Sequence, residues 1–215
     1  HFPHNPEPLK EHLTDICELM KTEKADVGIV VDPDVDRLAL IDENGEMFGE
    51  EYTLVAVADY LLRHKKGAAI SNLSSSRALR DVARSLDSEY FASAVGEVNV
   101  VNLMKSSNAV IGGEGNGGII YPDLHYGRDS LVGVALFLTH LAKENKTVSE
   151  LRATYPAYFM GKKKIELTPE IDVDAILTKM EKEYQNEEVS TVDGVKIDFE
   201  RNWVHLRKSN TEPII

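Results

Sequence analysis

The sequence predicts an α/β protein, and three observations carry that prediction. Strand-like and helix-like stretches alternate from Glu50 to Ala142, the pattern of a sheet covered by helices. Upstream, two apolar runs, Val27 to Val31 and Leu38 to Ile41, bracket a loop with three aspartates at alternate positions. They read as a buried strand and the strand that returns from it. After Gly161 the composition changes: Lys162-Lys163-Lys164 opens a segment with one helical pattern and several strand-like ones, a separate unit.

The bulk properties narrow the class. A chain of 215 residues is long enough for one large domain or two smaller ones with their own cores. An apolar share of 42% and a charged share of 28% are those of a soluble globular protein, not a disordered one. The net charge of -12 argues against a nucleic-acid partner, whose phosphates need a basic face. A phosphorylated small molecule stays open, because it needs only a few cations and aligned N–H donors. Cys17 stands alone, which excludes an internal disulfide framework and fits a cytoplasmic setting. No signal peptide or membrane span is read, so no membrane partner is expected. The chain opens on His1 and stops in the apolar pair Ile214-Ile215, so a piece of a longer protein is expected.

In chain order, the proline-rich start up to Pro8 is an extended connector. Leu9 to Thr22 carries apolar residues at helical spacing, with Cys17 facing the core. The aspartate loop and its two strands follow. Glu43-Asn44-Gly45-Glu46 is a type I′ hairpin signal, so Met47-Phe48 should pair back. Tyr52 to Arg63 is a helix stopped by Lys65-Lys66-Gly67. Ala68 to Asn72 is a strand, and Ser74-Ser75-Ser76 caps a helix from Arg77 to Ser85. Glu89 to Val95 is a strand, Glu97 to Met104 a helix, Ala109 to Ile111 a strand, and Ile119-Ile120 a continuing strand. Asp129-Ser130 caps a helix from Leu131 to Ala142, and Thr147 with Glu150 forms a capping box. Beyond Gly161 come a strand from Ile165 to Leu167, a helix from Ile171 to Tyr184, and strands Val192 to Phe199 and Trp203 to Leu206.

Three loops carry chemistry. In Asp32-Pro33-Asp34-Val35-Asp36-Arg37 the carboxylates repel one another unless a cation sits among them, and hard oxygen donors suit Mg²⁺, Mn²⁺ or Ca²⁺. The bland alternative is a solvated acidic turn. An EF-hand is excluded, because Arg37 stands where that loop needs glycine and the flanks are strands. Gly112 to Gly118 holds five glycines around Glu114 and Asn116. It lacks the Gly-Lys-Ser/Thr of a P-loop and the spacing of a dinucleotide turn. A carboxylate beside an amide suits sugar hydroxyls; a purely structural glycine turn is the alternative. The third loop, Arg207-Lys208-Ser209-Asn210-Thr211-Glu212-Pro213, offers a guanidinium, hydroxyls, an amide and turn N–H groups to a phosphate.

Together these three loops, in this order, resemble the α-D-phosphohexomutase family of phosphoglucomutases, phosphomannomutases and phosphoglucosamine mutases, over residues 1 to 215. The resemblance implies the end of a second α/β domain (1–48, metal loop), a whole mixed-sheet α/β third domain (49–160, sugar loop) and most of an α+β fourth domain (161–215, phosphate loop). It implies interconversion of hexose 1-phosphate and hexose 6-phosphate through a phosphoserine and a hexose 1,6-bisphosphate, by a monomer or homodimer. On that resemblance Asp32, Asp34 and Asp36 are Mg²⁺ ligands, and Arg37 faces the transferred phosphate. Glu114 and Asn116 hold the sugar, and Arg207, Ser209, Asn210 and Thr211 clamp the other phosphate. Asn116 stands where the family usually has serine, and Glu97 where many mannose- and glucose-active members have histidine. Glu97 is expected to act as a base or hydrogen-bond partner, or to cap its helix. Arg77 and Arg128 are further phosphate contacts without a motif. The family's Ser-His-Asn-Pro loop is not found, so this chain alone is expected to be inactive. Two other readings remain: a haloacid-dehalogenase-like phosphatase with Asp32 as nucleophile, and a non-catalytic sugar-phosphate-binding module.

Overall fold

The computed structural model describes residues 5–168, 171–209 and 214–215. The two opening histidines and the Asn210 and Thr211 of the phosphate loop lie outside the described residues. The chain divides into two units, His1–Tyr158 and Phe159–Ile215. Among the described residues no helix is long and apolar enough to cross a membrane.

In the first unit a 3₁₀ turn, Lys10–His12, precedes α1 (Thr14–Glu23). The single expected helix is broken at Leu13, whose ψ of 20° leaves the helical range, and the His12 ring binds Glu7 O at 2.8 Å. Strand β1 (Gly28–Val31) pairs antiparallel with β2 (Leu38–Ile41) in a two-stranded ribbon. β2 is buried throughout, but Ile29 and Val31 on β1 are more than a third exposed. The expectation of a buried strand is corrected there: among the described residues β1 pairs only with β2.

The turn after β2 is also a correction. Type I′ needs positive φ at two central residues, and only Gly45 has it, at 77°. The Asp42 carboxylate accepts from Asn44 N at 2.8 Å and Glu46 N at 2.9 Å, and Gly45 N donates to Asp42 O. That side-chain cap holds Asn44 at negative φ, leaving the left-handed step to Gly45. Met47 does bridge back to Ile41.

The main sheet has the order β4-β3-β5-β6: β3 (Ala69–Asn72), β4 (Tyr90–Ser93), β5 (Ile111–Gly113) and β6 (Ile119–Ile120). β4, β3 and β5 are parallel, and β6 returns antiparallel to β5. Helix α2 (Glu50–His64) follows β2, α3 (Ala78–Ser85) joins β3 to β4, and α4 (Glu97–Ser107) joins β4 to β5. The two crossovers run in opposite directions along the sheet, so right-handed connections put α3 and α4 on opposite faces. The core agrees. Ala69, Ile111 and Ile119 pack with α2, α3 and α5 (Ser130–Glu144), while Ile70 and Ile120 pack with Val100 and Met104 of α4. Adjacent strand residues thus feed two cores. Helix α5 buries Gly133, Phe137 and His140 on one stripe, and Phe137 meets Phe48 edge-on at 5.1 Å. Its cap is local: Asp129 accepts from Leu131 N and Val132 N. Helix α6 (Val148–Ala153) carries the Thr147–Glu150 capping box.

The second unit has α7 (Val173–Glu183), capped by Asp172, and an antiparallel meander of β7 (Glu188–Ser190), β8 (Val195–Asp198) and β9 (Trp203–Leu206). The strand expected from Val192 starts at Val195 instead, because Gly194 turns the chain at φ 71°. The expected strand at Ile165 to Leu167 is a single bridge, Glu166 to Ile214.

Candidate functional site

The parallel strands β3, β4 and β5 deliver their carboxyl ends to one edge of the sheet, the usual place for a ligand crevice in α/β folds. The loops leaving them are linked to the aspartate loop between β1 and β2 through Arg128.

That loop is built around Asp32, which is buried. Its Oδ1 accepts from Asp36 N at 3.1 Å and Arg37 N at 2.9 Å, and its carbonyl from Val35 N at 3.1 Å. The chain is wrapped so tightly that Val35 takes φ 59°, a costly place for a β-branched residue. Ser130 at the head of α5 holds it there, donating both N (3.1 Å) and Oγ (2.7 Å) to Val35 O. Ser130→Ala is therefore expected to cost about 1 kcal/mol in thermal unfolding and to weaken divalent-cation binding in a parallel titration. An unchanged cation affinity would show that Ser130 plays no part in shaping the loop.

Asp32, Asp34 and Asp36 bring one carboxylate oxygen each within 4.8 Å of one another. Burial, with Asp32 and Asp34 nearby, raises the Asp36 carboxyl above the ordinary range, against the pull of Arg128. Arg37 leans on the same group: its Nε sits 3.7 Å from Asp32 and 3.9 Å from Asp36, buried and, among the described residues, without a hydrogen bond. Its Nη1 pairs with Glu7 of the connector. An all-oxygen donor set of three convergent carboxylates fits a hard dication.

The glycine loop leaves β5 at Gly113. Glu114 Oε1 accepts from Asn72 Nδ2 at 3.0 Å and from Gly96 N at 3.1 Å, tying the ends of β3 and β4 to β5. Asn116 Oδ1 accepts from Gly118 N at 3.2 Å. The glycines are there for close approach as well as for turning. A Cβ on Gly117 (φ 81°) would collide with the Leu38 backbone, and one on Gly118 with the Arg128 stem.

Arg128 is the residue that motif reading left undefined. Its Nη2 pairs with Asp36, its Nε with Glu97 Oε2 at 3.1 Å, and its Nη1 lies 3.7 Å from Glu114 Oε2. Glu97 is the first residue of α4, just after its N-cap, Gly96. Its carboxylate holds Arg128 through both side chain and backbone N. Arg77 is buried at the N-cap of α3. The first unit thus joins Asp32, Asp34, Asp36, Arg37, Glu97 and Glu114 in one network, with Asn72, Arg128 and Ser130 as partners.

In the second unit Arg207 Nε donates to Asp193 Oδ2 at 3.2 Å, and Ser209 N donates to Ile214 O at 2.9 Å.

Residues 49–158 match the family described as phosphoglucomutase/phosphomannomutase, alpha/beta/alpha domain III, and residues 1–45 match its domain II. A phosphoglucomutase/phosphomannomutase of Thermococcus kodakarensis is 38% identical over all of this chain and 48% of its own length. A phosphoglucosamine/phosphogalactosamine mutase of Sulfurisphaera tokodaii is 35% identical over 98% of this chain and 47% of its own. The chain spans about half the length of the curated relatives it matches. Among solved structures, a Burkholderia thailandensis phosphoglucomutase/phosphomannomutase family protein superposes with a TM-score of 0.83 at 23% identity, covering 98% of this chain and 46% of that one. An Aspergillus fumigatus N-acetylphosphoglucosamine mutase, solved with GlcNAc-6P and magnesium, has a TM-score of 0.57 at 13% identity, covering 92% and 51%.

Proposed function

The chain belongs to the phosphoglucomutase/phosphomannomutase family, and from that premise we propose that it carries the metal, sugar and phosphate loops of a Mg²⁺-dependent phosphohexomutase. The reaction is interconversion of hexose 1-phosphate and hexose 6-phosphate, through a phosphoserine and a bisphosphate intermediate, in a polypeptide of the relatives' length. The observation that supports this reading most is the convergence of three aspartate oxygens within 4.8 Å, joined through Arg128 to the glycine loop.

Asp32, Asp34 and Asp36 would hold the cation. When bound, it would neutralise charge spreading over the transferred phosphoryl oxygens. Arg37 stands beside the aspartates, and a phosphate there would displace Glu7 from its Nη1 to gain a bidentate contact. Glu114, pinned by Asn72, Gly96 and Arg128, presents a fixed carboxylate to sugar hydroxyls, and the Asn116 amide supplies donors. Arg207, Ser209, Asn210 and Thr211 would clamp the phosphate that is not transferred. The phosphatase reading is less favoured, since the Asp32 carboxylate is buried and Oδ1 is already capped by two backbone N–H groups.

The test is an assay of the full-length gene product with glucose, mannose and glucosamine 1-phosphates, Mg²⁺ and catalytic sugar bisphosphate. Conversion to a 6-phosphate that stops on chelation is expected, and the preferred sugar names the substrate. Release of inorganic phosphate without isomerisation would favour the phosphatase. Binding without turnover would favour the non-catalytic module.

A further inference from the structure

We infer that Arg128 is a positioning residue that competes with the cation for Asp36 and so couples occupancy of the aspartate loop to the glycine loop. The inference rests on the reading of Asp32, Asp34 and Asp36 as a cation site.

One guanidinium serves three carboxylates on three separate elements: Asp36 in the aspartate loop, Glu97 at the head of α4 and Glu114 in the glycine loop. Its side chain is only 14% exposed, so solvent does little to blunt these contacts. The backbone beneath it is fixed, because Arg128 bridges to Ile120, Asp129 N donates to Ile119 O at 2.8 Å, and Arg128 N donates to Glu97. The stem runs across Gly118, where any larger residue would collide with it. What is left to move is the guanidinium, between Asp36 on one side and Glu97 and Glu114 on the other.

A dication drawing on Asp36 repels the guanidinium and takes the carboxylate oxygen that Arg128 holds. Arg128 then shifts its weight to Glu97 and Glu114. Glu114 is also the acceptor for Asn72 and Gly96, so the shift reaches the loop proposed to hold the sugar. The coupling is reciprocal: a ligand that takes Glu114 away from Arg128 returns the guanidinium to Asp36 and alters cation affinity by the same factor. Glu97 sets the balance, because it pulls Arg128 away from the metal loop. Glu97 is thus a positioning residue acting through Arg128.

The experiment titrates Mn²⁺ into the 215-residue chain and its Arg128→Gln, Glu97→Gln and double variants. Loss of the competing cation should tighten Mn²⁺ binding on the order of tenfold in Arg128→Gln. Glu97→Gln frees Arg128 for Asp36 and should weaken binding several-fold. The double variant should match Arg128→Gln, because Glu97 acts only through Arg128. Arg128→Lys, which keeps the charge and loses the fork, should fall between wild type and Arg128→Gln, and stands in if the glutamine variant fails to fold. With diamagnetic Mg²⁺, the Gly96 and Gly118 amide resonances should shift in the wild type and stay in place in Arg128→Gln. Unchanged or weaker Mn²⁺ binding in the Arg128 variants, or a Glu97→Gln effect that persists undiminished in the double variant, overturns the inference while the cation reading stands. A wild-type chain with no Mn²⁺ site overturns both.

Discussion

Asparagine in place of Asp34 is expected to weaken Mn²⁺ binding by the chain roughly 30-fold and to leave its melting temperature unchanged. Asp34 is exposed, unlike Asp32, whose buried oxygens organise the turn. The substitution therefore removes charge without removing structure. At about 4 Å in water a unit charge pair is worth about 1 kcal/mol, and a dication doubles it to about 2 kcal/mol. Calorimetric titration beside a thermal melt separates the two effects. A melting temperature that falls together with affinity would show that Asp34 is a structural residue. An affinity that does not move would remove it from the ligand set.

The second large effect concerns the frame that carries α5 and hence Ser130. Asp59 on α2 is 5% exposed. Its Oδ1 accepts from Arg63 Nε at 2.7 Å, and its Oδ2 from His140 Nε2 and Tyr155 OH, both at 3.1 Å. This one carboxylate joins α2, α5 and the segment after α6. Asp59→Ala removes the carboxylate that buried His140 and Tyr155 share, leaving only their contact with each other at 3.0 Å, and is expected to cost about 3 kcal/mol, lowering the melting temperature by about 8 °C.

A pH signature accompanies it. Burial raises the Asp59 carboxyl, but hydrogen bonds from His140 and Arg63 outweigh it and hold the group at about 2. The unfolded chain titrates near 3.9. The folded value is the lower one, so the stabilisation is present above about pH 4 and is lost as pH falls towards about 2. Its size is on the order of 2 kcal/mol. Tyr155 is pushed above the ordinary phenol range by burial and by Asp59. That folded value is raised, so its contribution is complete below about pH 10 and is lost in more alkaline solution. Unfolding of wild type and Asp59→Ala followed from pH 5 down to pH 2 is expected to show a steeper acid loss in the wild type. Parallel acid limbs would mean that the network does not titrate as a unit.

What was legible in the sequence is what depends on near neighbours. The aspartate loop is visible because its carboxylates and the backbone donors that Asp32 caps lie within five residues of each other. Asp129 caps α5 and Thr147 with Glu150 caps α6 for the same local reason. The glycine loop shows as a run of glycines, but the need for Gly117 and Gly118 comes from Leu38 and Arg128, distant in sequence or on another strand. Ser130 and Val35 are 95 residues apart, Arg128 and Asp36 92, Asn72 and Glu114 42. No spacing rule pairs them. The positive φ of Val35 was equally hidden, because a β-branched residue there runs against local preference and is held by a tertiary contact. Gly127-Arg128-Asp129 ahead of a capped helix was the one local sign that this arginine sits at a loop–helix junction. The turn at Asn44-Gly45 failed differently. The dipeptide favours type I′, but the Asp42 side chain supplied a cap that the dipeptide rule does not include.

The proposed site would hold a dication among Asp32, Asp34 and Asp36, balanced against Arg128. Crystals of the chain soaked in Mn²⁺ and measured for anomalous scattering test it most directly. The expected result is one peak bounded by oxygens of the three aspartates, with the Arg128 guanidinium withdrawn from Asp36 onto Glu97 and Glu114. A peak elsewhere, or an empty loop in crystals soaked well above the Kd measured in solution, would contradict it.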